Sequence, residues 1–295
     1  MNRPLVSICC ITYNHEKFIE QSLDGFVMQK TNFAFEILVH EDASTDNTAN
    51  IVKEYEKRYP QLFRCVYQTE NQFLKQNVLI DILFKMSKGK YIAICEGDDY
   101  WNDPYKLQKQ VDVLRSDSDC ILTFHNTLDV TQEESIPKYS KGLKDRFDIQ
   151  DFVYFFYART VSMVFRNPEQ GWPKQFQYMR IGDWPMAIWL MQYGCARYIP
   201  EVMAAYRIHD GGVYTTWDSN KKAIHVFESF LLLSKTMNEE HMLLVEQKLY
   251  ELSFSYFFGS ICTFYFKGFI IGFWYMLRSP YDLKIRKICN LFAKR

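Results

Sequence analysis

The 295 residues carry 35 Lys or Arg against 35 Asp or Glu, with 48% hydrophobic and 17% aromatic side chains. That is ample apolar material for one large domain, alone or with an appendage. The cancelled charge excludes the global positive field on which a nucleic-acid partner depends, so none is expected.

Taken in chain order, Pro4 to Ile11 (PLVSICCI) is a near-continuous apolar run, the pattern of a strand buried on both faces. Polar Thr12-Tyr13-Asn14 closes it early, so the N-terminus lacks the architecture of a signal peptide and no export is expected. Phe18, Ile19, Ser22, Leu23, Phe26 and Val27 then recur at helical spacing. A second strand over Phe35 to Val39 stops at His40-Glu41-Asp42, and the next helix places Ala49, Ile51, Val52 and Tyr55 inward. Leu62 to Tyr67 is predicted as a third strand, 74–87 as a helix and 90–95 as a fourth strand. Asp103-Pro104 reads as the start of a helix with an acidic N-cap and Pro at its first position.

This alternation of strand and helix means βαβ units and a mostly parallel sheet, with ligands expected beyond the C-terminal ends of the strands. Thr12-Tyr13, Glu41-Asp42 and Glu96-Gly97-Asp98-Asp99 all fall there. Further on, Cys120 to Phe124 and Thr160 to Phe165 read as strands separated by a polar loop near 131–148. Asp183 opens a helix over 182–193, a strand follows near 195–199, and from about 221 the chain is helical. The eight cysteines contain no CxxC pair and sit mostly in apolar runs, as reduced, buried thiols of a cytoplasmic protein do.

Glu96, Asp98 and Asp99 crowd three carboxylates at the end of an apolar strand. Mutual repulsion makes that costly unless a cation is bound, and carboxylate oxygens suit Mg²⁺ or Mn²⁺ beside a diphosphate. A solvated acidic turn ahead of a helix is the alternative. A dinucleotide-binding fold is excluded because the turn Thr12 to Lys17 contains no glycine, and no GxxxxGK is present.

The stretches VSICCITYNHEKFIEQSLDGF, EILVHEDASTDNT and GKYIAICEGDDYWNDPYKLQKQ resemble the family 2 glycosyltransferases, in the bacterial branch that builds lipopolysaccharide, capsule or exopolysaccharide. The resemblance covers roughly residues 4–212. It implies the α/β nucleotide-sugar-binding fold called GT-A, and a single inverting displacement from a nucleotide-linked sugar. Thr12 and Tyr13 then begin the base pocket, and Asp42 accepts a hydrogen bond from uracil, with an Asx-turn or helix cap as its alternative role. Glu96 and Asp98 lie near ribose and diphosphate, and Asp98 and Asp99 hold Mn²⁺ or Mg²⁺, with Asp99 the leading ligand. Glu96 departs from the aspartate of many relatives. Asp183 matches the catalytic base, although an N-cap role explains it as well. Trp101 and Trp184 either stack on sugar rings or close the core. In Tyr206-Arg207-Ile208-His209-Asp210, Arg207 reads as a phosphate contact and His209 as a metal ligand, or as a structural histidine.

Leu252 to Leu277 contains one charge, Lys267, and six Lys or Arg follow it against Asp282. The uncharged pieces are short for a span, so a hairpin packed on the catalytic domain competes with a stretch lying on the inner membrane face. The expected organisation is a catalytic domain over 1–215 and a helical extension over 216–295, for which both of those placements stand. The expected partners are a nucleotide-sugar donor, most simply a UDP-sugar giving a hexosyl or N-acetylhexosaminyl group, and a glycan or lipid-linked acceptor. Two rivals remain at this stage: a nucleotidyltransferase, which lacks its basic glycine-rich loop here, and an inactive nucleotide-binding scaffold of the same fold.

Overall fold

The computed structural model describes residues 3–73, 78–212, 216–262, 270–274 and 277. In β1 (Val6–Thr12), Val6, Ile8 and Cys10 enter one apolar cluster and Cys9 enters the other. A strand with cores on both sides has no need of polar alternation, which is why it reads as an unbroken apolar run. β2 (Phe35–Glu41) and β4 (Tyr91–Ile94) lie parallel on either side of β1, and β3 (Phe63–Tyr67) lies parallel outside β2. The crossovers are α1 (Ile19–Val27), α2 (Thr48–Arg58) and a π-helical turn (Leu79–Leu83) that runs into α3 (Phe84–Met86). Residues 74–77 of the helix expected over 74–87 lie outside the described residues.

The second half of the sheet is mixed. β9 (Val164–Arg166) runs antiparallel between β4 and β6 (Cys120–Val130), while β10 (Cys195–Arg207) runs parallel to β6. Short β5 (Tyr100–Trp101) pairs antiparallel with β10, as does β8 (Arg146–Phe147), and β7 (Ser135–Pro137) pairs with β6. The main path is therefore β3-β2-β1-β4-β9-β6-β10-β5, mostly parallel as the alternation predicts.

Several boundaries differ from expectation for identifiable reasons. β6 continues past Phe124 because His125, Asn126 and Thr127 are buried and paired with β10. β10 continues past Ile199 because register shifts between Ile199 and Ala204 absorb Pro200, which has no N–H to offer the ladder. The expected strand over 160–165 divides into a 3₁₀ turn (Thr160–Ser162) and β9. α4 (Lys106–Ser116) begins two residues after Pro104, and Asp103 caps the preceding turn by accepting the Tyr105 N–H at 2.7 Å.

α1, α2 and α4 cover one face of the sheet through Leu23, Phe26, Val52, Leu107, Val111 and Leu114. The other face is covered by α5 (Ile149–Tyr154), α6 (Asp183–Met191), α7 (Ser219–Ser234) and α8 (Glu239–Cys262). Phe227 and Phe230 of α7 and Val245, Leu249 and Tyr256 of α8 belong to that same apolar cluster, with Phe227 stacked on Tyr256 at 4.1 Å. The described part of the extension is thus continuous with the core. Among the described residues no helix is long and apolar enough to cross a membrane. Residues 263–269, 275–276 and the basic tail lie outside the description. Cys9, Cys10, Cys95, Cys120 and Cys195 are buried free thiols, as expected.

Candidate active site

β1, β2, β4, β6 and β10 point their C-terminal ends at one sheet edge. The β1–α1 turn and the β2–α2 loop interlock there. Asn14 and Ala43 both adopt positive φ, 55° and 61°, a strained choice for an alanine. Hydrogen bonds tie the loops together: Asn14 N–H to Ser44 Oγ (2.9 Å), His15 N–H to Thr48 Oγ1 (2.8 Å), Glu16 N–H to Asp46 Oδ2 (3.1 Å) and Thr45 N–H to Asn14 Oδ1 (2.8 Å). Asp42 is buried behind them. Its N–H donates to Thr12 O, and its Oδ1 accepts the Gln72 N–H at 2.7 Å, so it caps no helix. Tyr13 stands at the rim, 41% exposed.

The acidic turn follows β4. Gly97 is required at its apex, because a Cβ there would meet Thr12 Oγ1 at 2.6 Å and His15 Nδ1 at 2.9 Å. Ser22 Oγ donates to the carbonyls of Gly97 (2.9 Å) and Asp99. The three acids then separate. Asp98 turns toward two imidazoles, with His209 Nε2 at 3.2 Å and His15 Nε2 at 3.7 Å from its Oδ2. Asp99 turns inward, 2% exposed, and its Oδ1 accepts the Arg207 N–H at 2.8 Å. Glu96 Oε2 is buried without a hydrogen-bond partner among the described residues.

Electrostatics follow this division. Burial, and after it Asp98 and Asp183, pushes the Glu96 carboxyl up to about 8. Burial, and then Asp98 and Glu96, pushes Asp99 well above the carboxylate range. For Asp98 burial acts in the same upward direction, but the hydrogen bond with His209 and the proximity of His15 outweigh it and hold the group below its ordinary value. One carboxylate stays readily ionised at the mouth of the turn, between two that resist ionisation.

Asp183 is the first residue of α6; the N-cap is Gly182. Its carboxylate accepts the Trp184 N–H at 2.8 Å and the Thr160 hydroxyl at 3.2 Å. Burial raises its pKa, against the lowering effect of those hydrogen bonds and of Lys138. Asp183 adds a small upward push to the Glu96 carboxyl.

The tryptophans take the core alternative. Trp101 is 2% exposed, donates to Val161 O at 3.1 Å and packs on Phe26. Trp184 donates to Phe152 O and packs between Phe156 and Phe230. The Arg207 guanidinium donates to Asp98 O and Gln21 Oε1 and lies 4.3 Å over the Tyr100 ring, clamping the acidic turn from outside. Two participants carry no motif that flags them in sequence: His15, beside Asp98, and Thr160, which donates to Asp183. The position of His15 one residue past TYN, opposite a glycine, was the only available signal.

Among the described residues no three His, Cys, Asp or Glu side chains are gathered so as to hold a metal unaided. The donor set nonetheless fits a divalent cation that arrives with phosphate oxygens. Glu96 Oε2 is an orphaned buried acceptor, and Asp98 is an ionised carboxylate with His209 beside it.

The family model for glycosyl transferase family 2 matches residues 7–170. An uncharacterized protein of Mycobacterium tuberculosis is 36% identical over 211 residues, covering 71% of this chain and 60% of its own length, so the chain spans under two thirds of that relative. The crystal structure of S. aureus TarS in complex with UDP-GlcNAc superposes with a TM-score of 0.62 at 17% identity, over 85% of this chain and 72% of that one. The mannosyltransferase PcManGT of Pyrobaculum calidifontis, in complex with GDP-Man and Mn²⁺, superposes with a TM-score of 0.56 at 16% identity, over 100% and 89%. These likenesses carry the fold, which is the GT-A architecture expected from the sequence. With more than half its length matched, on the strands and turns that assemble the acidic edge, the chain belongs to glycosyl transferase family 2.

Proposed function

We propose that the protein is an inverting glycosyltransferase that moves a sugar from a nucleoside-diphosphate donor to a glycan or lipid-linked acceptor, in assembly of bacterial cell-surface polysaccharide. The observation that supports this reading is a sheet edge that carries buried Asp42 beside β1 and Asp98 paired with His209, with Asp183 at the start of α6 adding to the electrostatics of Glu96 in the same acidic turn. TarS and PcManGT, which share the fold, bind UDP-GlcNAc and GDP-Man respectively, so a nucleotide-sugar donor suits this edge.

Asp42 receives the base. Its Oδ1 is committed to Gln72, whereas Oδ2 makes no hydrogen bond among the described residues. A free carboxylate oxygen selects a base with a protonated ring nitrogen on its pairing edge, which uracil, thymine and guanine have, whereas the ring nitrogen of cytosine there is an acceptor; uridine is the reading preferred here. Asp98 and His209 would hold the cation, Mn²⁺ or Mg²⁺, and Asp99 fixes the turn by accepting the Arg207 N–H. When bound, the cation neutralises charge on the leaving diphosphate as a Lewis acid. Asp183 takes the acceptor proton. The acceptor oxygen bonds to the anomeric carbon as the bond to the diphosphate oxygen breaks, and the electron pair leaves with the diphosphate. One displacement inverts the anomeric centre. The acceptor enters from the side of Thr160 and α6. Docking of the aromatic C-terminal stretch and basic tail on the inner membrane face would bring a lipid-linked acceptor there.

The test is melting temperature against UDP, dTDP, GDP and CDP, each with and without Mn²⁺, for wild type and Asp98→Ala. A ligand at a hundred times its dissociation constant adds about 2.7 kcal/mol. A shift that requires Mn²⁺, favours UDP and disappears in Asp98→Ala is expected. No shift with any nucleotide overturns the donor site.

A further inference from the structure

We propose that His15 is a specificity-determining residue of the donor site, presenting its imidazole Nε2–H to the diphosphate of the nucleotide sugar. The inference rests on the donor-site reading above and assigns a contact to a residue that reading does not use.

Three observations carry it. First, His15 is built into place. Its backbone N–H is held by Thr48 Oγ1, Asn14 and Glu16 on either side of it are hydrogen-bonded to the neighbouring loop, and Gly97 leaves the space its ring occupies. Such a frame preorganises a ring rather than letting it wave in solvent.

Second, its tautomer is determined by its neighbour. Thr12 is fully buried, and the only partner of its hydroxyl among the described residues is His15 Nδ1, at 3.3 Å. A buried hydroxyl without another acceptor donates to that nitrogen, since leaving its proton unpaired is the costlier arrangement. Nδ1 is then the acceptor, and Nε2 carries the proton.

Third, that Nε2–H is uncommitted. Its nearest acceptor is Asp98 Oδ2 at 3.7 Å, beyond a hydrogen bond, and the side chain keeps 17% exposure at the mouth of the acidic turn. A neutral donor faces the space between the base-binding loop, which carries Asp42, and the carboxylate assigned to the cation. A diphosphate bridging those two points has oxygens to accept it. The proton is shared, not transferred; the step remains the displacement described above, with negative charge growing on the diphosphate oxygen as the glycosidic bond breaks. A donor aimed there contributes more as that charge develops.

The experiment is calorimetric titration of wild type, His15→Ala and His15→Gln with UDP and with UMP in Mn²⁺, or with the diphosphate and monophosphate of whichever base the melting panel selects. Gln places an N–H₂ close to where His15 has Nε2, and it also serves if the alanine variant fails to fold. Manganese pulsed EPR is recorded on each complex. His15→Ala is expected to bind the diphosphate about 10- to 100-fold more weakly, as loss of a hydrogen bond to a charged group does. The monophosphate should be unaffected, His15→Gln should stay within about threefold of wild type, and the nitrogen coupling to manganese should be unchanged. Equal losses for UDP and UMP overturn the proposal, as does a glutamine variant no better than alanine. Loss of a nitrogen coupling in His15→Ala overturns it in favour of direct metal ligation. A wild type that binds no nucleotide overturns the donor-site reading itself, and this proposal with it.

Discussion

Arg207 and Asp99, 108 positions apart, are joined by a hydrogen bond of 2.8 Å from the Arg207 backbone N–H to the Asp99 carboxylate. The pairing of β5 with β10 brings them together, with Ala205 opposite Tyr100. Because Asp99 is buried, its removal leaves the Arg207 N–H without a partner, at a cost of about 1–3 kcal/mol. Asp99→Ala should therefore lower the melting temperature, and Asp99→Asn, which keeps the acceptor oxygen, should restore most of it. Asp98→Ala should melt near wild type while abolishing the Mn²⁺-dependent response to nucleotide. Denaturation of the three variants decides the matter; an Asp99→Ala protein as stable as wild type that fails only in metal response would return the metal role to Asp99.

Gly97→Ala tests the fit of the acidic turn against Thr12 and His15. The added Cβ would lie within 3 Å of both side chains, and Thr12 is fully buried. Overpacking of this kind costs about 1–3 kcal/mol. Nucleotide affinity should fall with it, since His15 is displaced from the turn it faces. Chemical denaturation and nucleotide titration of the one variant report both effects, and an unchanged titration would show that the His15 contact carries nothing.

Strand–helix alternation and the polar ends of β1, β2 and β4 were legible because each is written in a window of about ten residues. The division of labour among Glu96, Asp98 and Asp99 was not, because it depends on β10 returning beside the turn a hundred residues later. The fate of Trp101 depends on the same return: Val161 and Phe26, which enclose it, come from opposite directions along the chain. β10 itself was foreseen at less than half its length, since Pro200 looks like a strand end until a bulge absorbs it. Local chemistry predicted the site's inventory, and long-range pairing decided which atom of it faces the ligand.

In the proposed reaction Asp183 takes the acceptor's proton, which requires it to be unprotonated. Burial raises its pKa, so the acid limb of the transfer rate should lie at higher pH than an ordinary aspartate would give. Lys138 opposes that rise, so Lys138→Met should move the limb to higher pH without abolishing the reaction. Asp183→Asn should lower kcat by about 10²–10⁴ and leave the donor KM nearly unchanged. Rate profiles from pH 4 to 9 for the three proteins measure this. An Asp183→Asn enzyme with an unshifted profile and normal kcat would remove Asp183 from the chemistry.

Lys106 gives the fold a pH dependence of its own. It is completely buried; its ammonium donates to Gln110 Oε1 at 2.9 Å and lies 4.0 Å from the centre of the Trp101 ring, with no carboxylate in ion-pair reach among the described residues. Burial lowers its pKa from 10.5 to about 7, against the raising effects of Cys95 and Asp103. Between those two values the unfolded chain binds more protons than the folded one, so stability rises with pH across that window. Below about 7 the penalty of the buried charge is complete, offset in part by about 1–2 kcal/mol from the ring. Lys106→Met fills similar volume without the charge. It should melt about 2–4 °C above wild type at pH 6, for each kcal/mol gained, and the advantage should shrink toward pH 10. Melting curves of both proteins from pH 6 to 10 test this directly: converging curves place the buried charge beneath Trp101 and the acidic turn, whereas parallel curves would mean that Lys106 keeps its ordinary pKa in the folded protein.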